Sequence, residues 1–429
     1  MNKLETGVIY QPELDGKSFD VVIVGLGPAG IHLSSEIQRC VGSAYKTIAL
    51  EQNETCGGSA HASMQQARTL QTHPEMARMV GETIKWYRET GGFNKQKGTE
   101  ARPNWVSPLP YLFVAGSKAQ LDGYRQNLTR TREWGYGAQA EILGPDELQY
   151  RYPFIDRSIV AGGLYYPDAF SLDFEAAMQH ILTETPRTTF ATGTRMSQVL
   201  FDKDRVVGIK TDRGEIINTP SVVLTTGPFI IQAPEQIGQA EIPDLIQVVS
   251  LTEVRRRQRF SAPIKGSPVD QPVFVVSPFG AYARYNVDSQ RQVWADYGFA
   301  DPNDPLVTYP EPKPKPDPFA FPYSFPNSVY LNLGTVISSY GNEESFGPWA
   351  VHPQPNSGEA GYYSDTPADL PIVTRLREGL VVGVGFGHAG VMNRGAATLI
   401  TEILFNCQTT SNAFSLQAQR KSISTNLRL

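Results

Sequence analysis

Cysteine is scarce in this chain of 429 residues, which contains only Cys40, Cys56 and Cys407. The three have no zinc-site spacing and cannot form an even-numbered disulfide framework, so a reducing compartment is favoured. The six histidines are also far apart in the sequence, and nothing resembles a metal cluster or a Ser/His/Asp triad. We therefore expect no bound metal.

Long apolar runs are missing as well. Nowhere does the chain have the roughly 18 consecutive apolar residues of a membrane-spanning helix, and residues 1–17 contain no apolar signal core. The net charge is −5, with 38 basic and 43 acidic side chains, so the positive excess of a nucleic-acid-binding protein is absent. We expect a cytoplasmic protein that binds neither membrane nor nucleic acid. The length suits two domains.

A glycine motif near the N-terminus carries the first functional signal. Residues 21–30 read VVIVGLGPAG, a strand-forming run that leads into Gly25-x-Gly27-x-x-Gly30. Gly25 permits a tight turn, Gly27 lets the backbone approach a pyrophosphate, and Gly30 lets the following helix pack closely on the strand. The motif predicts a dinucleotide-binding turn.

The residues after the motif support this interpretation. A helix over about 28–38 would point its positive N-terminal end at the phosphates. The next predicted strand, 46–50, is followed by Glu51, at the position where a carboxylate accepts ribose hydroxyl groups. The alternative is a glycine-rich turn in an ordinary α/β protein.

The C-terminal part predicts a second cofactor contact. A short strand at 380–385 leads into Gly385-x-Gly387-His388-Ala389-Gly390, and a helix follows. Reduced flavin carries negative charge near N1 and the C2 carbonyl, which a helix N-terminus stabilises, whereas a nicotinamide enzyme does not need this second site. His388 either contacts the cofactor edge or fills the turn.

The middle of the chain contains elements of a second kind. Alternating segments before 221–229 predict an antiparallel ribbon, and 272–297 predicts further antiparallel strands. The proline-rich stretch 301–326 excludes a helix or a central strand, and it forms either a connector or a lid. The basic run at 255–259 is expected on a solvated face.

In this order the motifs resemble the D-amino acid oxidase superfamily of FAD enzymes, which includes glycine oxidase and monomeric sarcosine oxidase. The resemblance also covers GGSAHASM at 57–64 and GGLYYPDAFSLDF at 162–174. It implies the α/β class, with a Rossmann-like FAD-binding domain around a parallel central sheet and an antiparallel-sheet (α+β) substrate domain. The implied FAD-binding domain comprises 1–85, 158–230 and 361–429, and the implied substrate domain comprises 86–157 and 231–360.

The resemblance also implies FAD contacts in this sequence. Glycines of the first motif, together with Thr226 and Gly227, would bind the pyrophosphate, and Glu51 would bind the ribose. Val199 would contact adenine through its backbone, 58–59 the ribityl chain, 61–65 the flavin ring, and 387–392 the pyrimidine edge. The full set is Gly25, Gly27, Pro28, Ala29, Gly30, Glu51, Gln52, Gly58, Ser59, Met64, Gln65, Val199, Thr226, Gly227, Gly387, His388, Ala389, Gly390, Val391 and Met392.

Covalent attachment of the flavin is not expected. Where the sarcosine oxidase pattern has a flavin-linking cysteine, this chain has Gly361, and Cys407 lies beyond the motif. The resemblance therefore implies non-covalent FAD.

Four residues are candidates for the reaction itself. In the sarcosine oxidase pattern, a histidine beside the flavin is followed seven residues later by an arginine that pairs with the substrate carboxylate. That spacing recurs as His61 and Arg68. Structural alternatives are that His61 only packs on the flavin and that Arg68 pairs with a local acid. The lysine that assists oxygen would fall near Tyr282, with Arg284 on the same face of the strand. Met392 replaces a second lysine, which leaves the carboxylate clamp incomplete.

The chemistry implied is oxidation of a C–N bond in an amine or amino-acid-like substrate, with hydride passing to flavin N5 and an imine forming. Reduced flavin would return its electrons to oxygen or another acceptor. Two alternatives stay open. One is oxidation of a hydroxyl carbon, for which His61 would be the base, and the other is a flavin-carrying subunit without its own turnover.

Overall fold

A parallel sheet and a larger, mainly antiparallel sheet organise the chain. The computed structural model describes residues 9–10, 13–42, 45–53, 60, 65–91, 105–153, 155, 157–237, 242–264, 274–276, 278, 281–287, 293–299, 306–311, 314, 358–367, 370–386, 393–405, 414–415 and 417. The strands are β1 (Ile9–Tyr10), β2 (Val21–Val24), β3 (Thr47–Glu51), β4 (Gln66–Ala67), β5 (Val106–Pro108), β6 (Tyr111–Ala115), β7 (Glu141–Leu143), β8 (Gly162–Tyr166), β9 (Phe170–Leu172), β10 (Thr188–Thr192), β11 (Met196–Asp202), β12 (Arg205–Thr211), β13 (Ile216–Asn218), β14 (Val222–Leu224), β15 (Glu253–Ile264), β16 (Phe274–Val276), β17 (Ala281–Val287), β18 (Val293–Phe299), β19 (Gly358–Asp365), β20 (Ile372–Arg377) and β21 (Leu380–Val384).

The helices include those predicted after the two glycine motifs. They are α1 (Pro28–Val41), α2 (Pro74–Thr90), α3 (Lys118–Glu133), α4 (Pro145–Arg151), α5 (Phe174–Thr183), α6 (Ala233–Ile237), α7 (Pro243–Ser250) and α8 (Asn393–Leu404), with a 3-10 helix at Gly227–Gln232. Among these helices, none has both the length and the apolar character needed to cross a bilayer.

The seven-stranded sheet has the order β1-β10-β3-β2-β14-β21-β20. Its strands are parallel except for β20, which runs antiparallel to β21. Successive residues of β2 alternate between two cores because side chains of a strand point to opposite faces. Val21 and Ile23 pack with α1, α2, α5 and α8, whereas Val22 and Val24 pack toward the three-stranded antiparallel sheet β11-β12-β13.

The eight-stranded sheet has the order β19-β15-β18-β17-β16-β6-β8-β7. It is antiparallel apart from the parallel pair β16 and β6. A further antiparallel sheet of three strands, β4-β9-β5, lies beside α2 in the core that also contains Trp105 and Phe170. The expected α/β class, with a parallel central sheet and separate antiparallel sheets, is confirmed.

The basic run at 255–259 lies within β15, and at 255–257, where the side chains are described, they are partly buried and not on the expected solvated face. β15 pairs with β19 along this stretch, and only 18% of the Arg255 side chain is exposed. The Arg257 guanidinium carbon lies 5.6 Å from the centre of the Tyr363 ring. Strand pairing explains the partial burial at 255–257, because neighbours on β19 cover these side chains.

Part of the proline-rich stretch packs on the same sheet edge. The Val307 N–H donates to the Val254 carbonyl at 2.8 Å, and the Glu311 N–H donates to the Tyr362 hydroxyl at 3.1 Å. Gln232 Nε2 donates to the Pro310 carbonyl at 3.1 Å. Residues 306–311 therefore form an ordered connection across the ends of β15 and β19.

Candidate active site

In the glycine turn between β2 and α1, two of the three glycines occupy positions where a side chain would not fit. Gly25 has φ of 101°, and a Cβ on it would lie 2.6 Å from the Thr225 carbonyl oxygen. A Cβ on Gly30 would overlap the Gly25 carbonyl oxygen and come within 2.9 Å of Thr225 Oγ1. By contrast, a Cβ on Gly27 would meet nothing within 4 Å. The first and third glycines are thus needed by the fold, and the second leaves open space in front of α1.

The N-terminus of α1 faces this open space without a side-chain cap from the described residues. Pro28 lacks an N–H, and the Ile31 N–H is the first to bond back to the turn, donating to the Gly27 carbonyl at 3.0 Å. The N–H groups of Ala29 and Gly30 belong to the first turn, where intrahelical partners are missing. Such an end binds phosphate oxygens.

Glu51 connects β3 to the glycine turn. Its carboxylate accepts hydrogen bonds from the Leu26 N–H at 3.1 Å and from the Asn53 N–H at 2.9 Å. Burial of the side chain, which is 6% exposed, raises the pKa of Glu51, although hydrogen bonds from Asn53, Leu26 and Gln52 act in the opposite direction. The Asn53 side-chain amide also donates to this carboxylate, at 3.1 Å, and Glu51 lies at the carboxyl end of β3, where a ribose hydroxyl would bind.

Two threonines follow β14 beside the turn. The Thr225 hydroxyl donates to the Gly25 carbonyl at 2.9 Å and fixes the turn. Thr226 Oγ1 is buried, and among the described residues it has no hydrogen-bond partner. Gly227, next in the chain, has φ of 54° and open space around its Cβ position. A buried hydroxyl that lacks a partner, next to an uncapped helix end, fits the pyrophosphate of a dinucleotide such as FAD.

The structure also shows a candidate that the sequence did not single out. Thr192 ends β10 directly beside Glu51, and its hydroxyl is buried without a partner in the described part of the chain. Its position at the carboxyl end of a parallel strand is where ligands of such sheets bind. A prediction that β10 is parallel to β3 could have identified it.

Two further predicted FAD contacts, Val199 and Gln65, lie in other parts of the fold. Val199 is in β11, an edge strand, where it pairs with Ile209. Gln65 has φ of 53°, and its carbonyl accepts a hydrogen bond from the Leu172 N–H at 2.8 Å. Outside the described residues lie Gly58, Ser59, His61, Met64, Gly387, His388, Ala389, Gly390, Val391 and Met392.

Two of the four candidates for the reaction belong to one aromatic cluster on the eight-stranded sheet. The Arg68 guanidinium carbon lies 5.3 Å from the ring centres of both Tyr111 and Phe113. The cluster continues through Phe274, whose ring centre is 4.5 Å from that of Tyr111 and 5.8 Å from that of Tyr282. Arg284 lies in the same strand as Tyr282, opposite Phe274 in the register. Its side chain is outside the described part of the structure.

Part of the Arg68 guanidinium is available to bind a ligand. Nη1 donates to the Leu70 carbonyl, and the side chain is half-buried. Within the described ranges no carboxylate forms an ion pair with it, and the local-acid alternative therefore finds no support in this part of the chain. An arginine fork held against aromatic rings can bind a carboxylate in two-point fashion. Within the same ranges no group of three metal-ligating side chains occurs.

Comparisons with known proteins agree with this architecture. The family model described as FAD dependent oxidoreductase (DAO) matches residues 20–403. Human mitochondrial sarcosine dehydrogenase is 28% identical over 127 residues, covering 27% of this chain. This match and the match to a second curated relative each cover only 13% of the relative's length.

Solved structures share the fold at low sequence identity. L-proline dehydrogenase from P. horikoshii superposes with a TM-score of 0.71 at 16% identity, covering 94% of this chain and 98% of that one. L-α-glycerophosphate oxidase from Mycoplasma pneumoniae, solved with FAD bound, has a TM-score of 0.66 at 12% identity, with 93% and 98% covered.

Proposed function

We propose that this chain, which belongs to the DAO family of FAD-dependent oxidoreductases, oxidises a C–N bond of a small amine or amino-acid-like substrate to an imine. FAD, when bound, supplies the hydride acceptor, and oxygen or another acceptor then takes the electrons. The neutral amine is the reactive form, so the protein needs little acid or base chemistry. Its residues have to bind the substrate, orient it and exclude water.

The residues around the glycine turn fit FAD. The uncapped end of α1 and the partnerless Thr226 hydroxyl would hold the pyrophosphate, and Glu51 would hold the ribose next to the adenine. No cysteine stands at 361, so we propose that FAD binds without a covalent link.

The proposed class of substrate rests mainly on one observation, the half-buried guanidinium of Arg68. The rings of Tyr111 and Phe113 hold it in place, and Tyr282 lies two aromatic contacts away on the same cluster. A fixed cation among aromatic rings suits a substrate that has both a carboxylate and an apolar part. Sarcosine and L-proline, which give two of the similar proteins their names, combine a carboxylate with an adjacent amine.

Oxidation of a hydroxyl carbon is the second candidate. The similarity to a glycerophosphate oxidase favours it, because the same architecture then serves C–O as well as C–N substrates. Carboxylate recognition by Arg68 would suit a hydroxy acid equally well.

An anaerobic titration tests the proposal. Purified flavoprotein is mixed without oxygen with primary, secondary and cyclic amino acids, with amines lacking a carboxylate, and with hydroxy acids, while the visible flavin band is recorded. Bleaching by an amine or amino acid supports C–N oxidation, and bleaching by hydroxy acids alone supports the second candidate. A yellow protein that no compound bleaches would favour a flavin carrier without turnover.

Arg68→Ala tests the role of the guanidinium. We expect kcat/KM for a carboxylate-bearing substrate to fall roughly thirtyfold or more, which corresponds to a loss of about 2 kcal/mol of transition-state stabilisation, while kcat/KM for neutral amines changes little. Arg377→Ala is the matched control, since Arg377 also lies over an aromatic ring, 5.7 Å from the centre of Phe201, in a different sheet. Equal losses for charged and neutral substrates would remove Arg68 from the substrate site.

A further inference from the structure

The start of α8 is capped by a side chain from another helix. Thr83 of α2 is fully buried, and its hydroxyl accepts hydrogen bonds from the N–H groups of Arg394 at 3.1 Å and Gly395 at 3.2 Å. The same hydroxyl donates to the Met79 carbonyl at 3.0 Å. The first N–H groups of a helix have no intrahelical partners and are usually capped by the preceding residue of the same segment. Here α2 provides the acceptor.

The close contact of α2 and α8 depends on this arrangement. A Cβ on Gly395 would lie 2.8 Å from the Met79 carbonyl oxygen, so the two backbones meet without a side chain between them. A shift of α8 along α2 would therefore break both hydrogen bonds to Thr83. The hydroxyl fixes where α8 begins.

A buried ion pair connects the same end of α8 to α1. Glu36 Oε2 lies 2.8 Å from Arg394 Nη2, and the two side chains are 1% and 15% exposed. Burial raises the pKa of Glu36, but the hydrogen bond with Arg39 and the charge of Arg394 outweigh it and hold the pKa below its usual value. Glu36 therefore stays ionised near neutral pH, and α1 is tied to α8 by charge.

A second buried connection passes through Tyr87 of α2. The Tyr87 hydroxyl lies 3.1 Å from His32 Nε2 of α1, and its interaction with the Asn393 amide partly offsets the effect of burial, which raises the pKa of Tyr87. His32 Nδ1 is buried and, in the described part of the chain, has no hydrogen-bond partner. His32 and Tyr87 thus connect α1 to α2 next to Asn393, the first residue of α8, whose Nδ2 is buried and has no hydrogen-bond partner within the described residues.

These contacts involve the two helices that the cofactor is expected to meet. α1 begins at the glycine turn, and α8 begins directly after 387–392, the segment expected at the flavin pyrimidine edge. We propose that Thr83 and Tyr87 are positioning residues for FAD, which act through α8 by fixing its start relative to the pyrophosphate-binding end of α1. This inference rests on the FAD contacts of the proposed function and is independent of which bond is oxidised.

Thr83→Val tests the inference, because valine has nearly the same shape and lacks the hydroxyl. We expect the dissociation constant for FAD to rise about tenfold and the flavin midpoint potential to shift. Thr83→Ser, which restores the acceptor, should recover both values.

Thr401→Val is the matched control on α8. Thr401 is also buried, and its hydroxyl donates within the helix to the Ala397 carbonyl at 2.8 Å, about two turns beyond Thr83's contacts. The Thr401→Val substitution should change the melting temperature of the apoprotein but leave its affinity for FAD unchanged. If Thr83→Val lowers the melting temperature as Thr401→Val does and binds FAD like the unmodified protein, Thr83 is only a structural cap and the inference is wrong.

Tyr87→Phe provides a second test that keeps the ring and its packing. We expect weaker FAD binding and a changed flavin spectrum, measured on protein whose melting temperature shows that it is folded. Unchanged affinity and spectrum in this variant would overturn the part assigned to Tyr87. Both tests measure FAD binding directly, so they can succeed even if no amine bleaches the flavin, and can fail while amine oxidation is confirmed.

Discussion

At the scale of single residues, Gly27 and Gly30 have different reasons for being glycine. A Cβ on Gly30 would overlap the Gly25 carbonyl oxygen, whereas a Cβ on Gly27 would enter space that no protein atom within 4 Å fills. Gly27 also has an ordinary φ of −70°, which any residue can adopt. The fold therefore requires Gly30, whereas for Gly27 we propose that the requirement comes from the bound ligand.

This difference predicts opposite effects of two alanine substitutions. Gly30→Ala should destabilise the apoprotein by about 1–3 kcal/mol or more, because strand and helix are forced apart. Gly27→Ala should leave apoprotein stability within about 0.5 kcal/mol and weaken FAD binding. Urea unfolding of the apoproteins and fluorescence titration with FAD measure the two effects. A Gly27→Ala protein that binds FAD normally would contradict the placement of the pyrophosphate at this turn.

The residues that could be predicted from the sequence are those whose role follows from local chain geometry. Gly25, Gly27, Gly30 and Glu51 occur at fixed spacings around one strand, one turn and one helix. Thr83 and Thr192 could not be found in this way, because each meets its neighbours across the fold: Thr83 contacts residues more than 300 positions away. Their roles stay proposals until tested.

At the scale of elements, the sequence pattern predicted the positions of strands better than it predicted which strands pair with each other. The segments at 274–276, 281–287 and 293–299 are antiparallel neighbours as expected. The parallel pairing of β16 with β6 could not be predicted, because it joins strands more than 150 residues apart. The domain limits remain predictions as well: β8, within the segment 158–230 assigned to the FAD-binding domain, pairs with β6 and β7 of the eight-stranded sheet.

The burial of His32, where α1 packs against α2, predicts that the protein loses stability in acid. Burial, together with the charge of Arg394, lowers the pKa of His32 to about 3. The unfolded chain binds a proton at this histidine near pH 6.5, whereas the folded chain does not until about pH 3. Between these values the unfolded state holds more protons, so stability from this group is complete above pH 6.5 and declines as the pH falls toward 3.

His32→Gln removes this titration. Between pH 7 and pH 4 we expect the variant to lose less unfolding free energy than the unmodified protein, by on the order of 3 kcal/mol. Urea unfolding at the two pH values measures the difference, and His180→Gln, at a side chain that is 22% exposed, is the control. If both variants lose as much stability as the unmodified protein, His32 does not remain neutral in the folded state.

At the scale of the whole molecule, the parallel sheet brings the proposed cofactor contacts to one edge. The carboxyl ends of β2, β3, β10 and β14 come together at one edge, where Glu51, Thr192 and Thr226 lie. FAD bound there would join α1, the β14 turn and α8, which come from segments more than 150 residues apart in sequence. A ligand that joins such segments stabilises only the folded chain, and its effect on stability depends on its concentration.

This dependence distinguishes non-covalent from covalent flavin. Gly361, which lies in β19 opposite Arg257, has no side chain that could link to a flavin. We expect flavin to leave the protein on acid precipitation and to colour the supernatant. Free FAD at 100 times its dissociation constant should then raise the unfolding free energy of the refolded apoprotein by about 2.7 kcal/mol. A yellow pellet, together with a stability that does not respond to added FAD, would show a covalent bond to a residue other than the one that the sarcosine oxidase pattern uses.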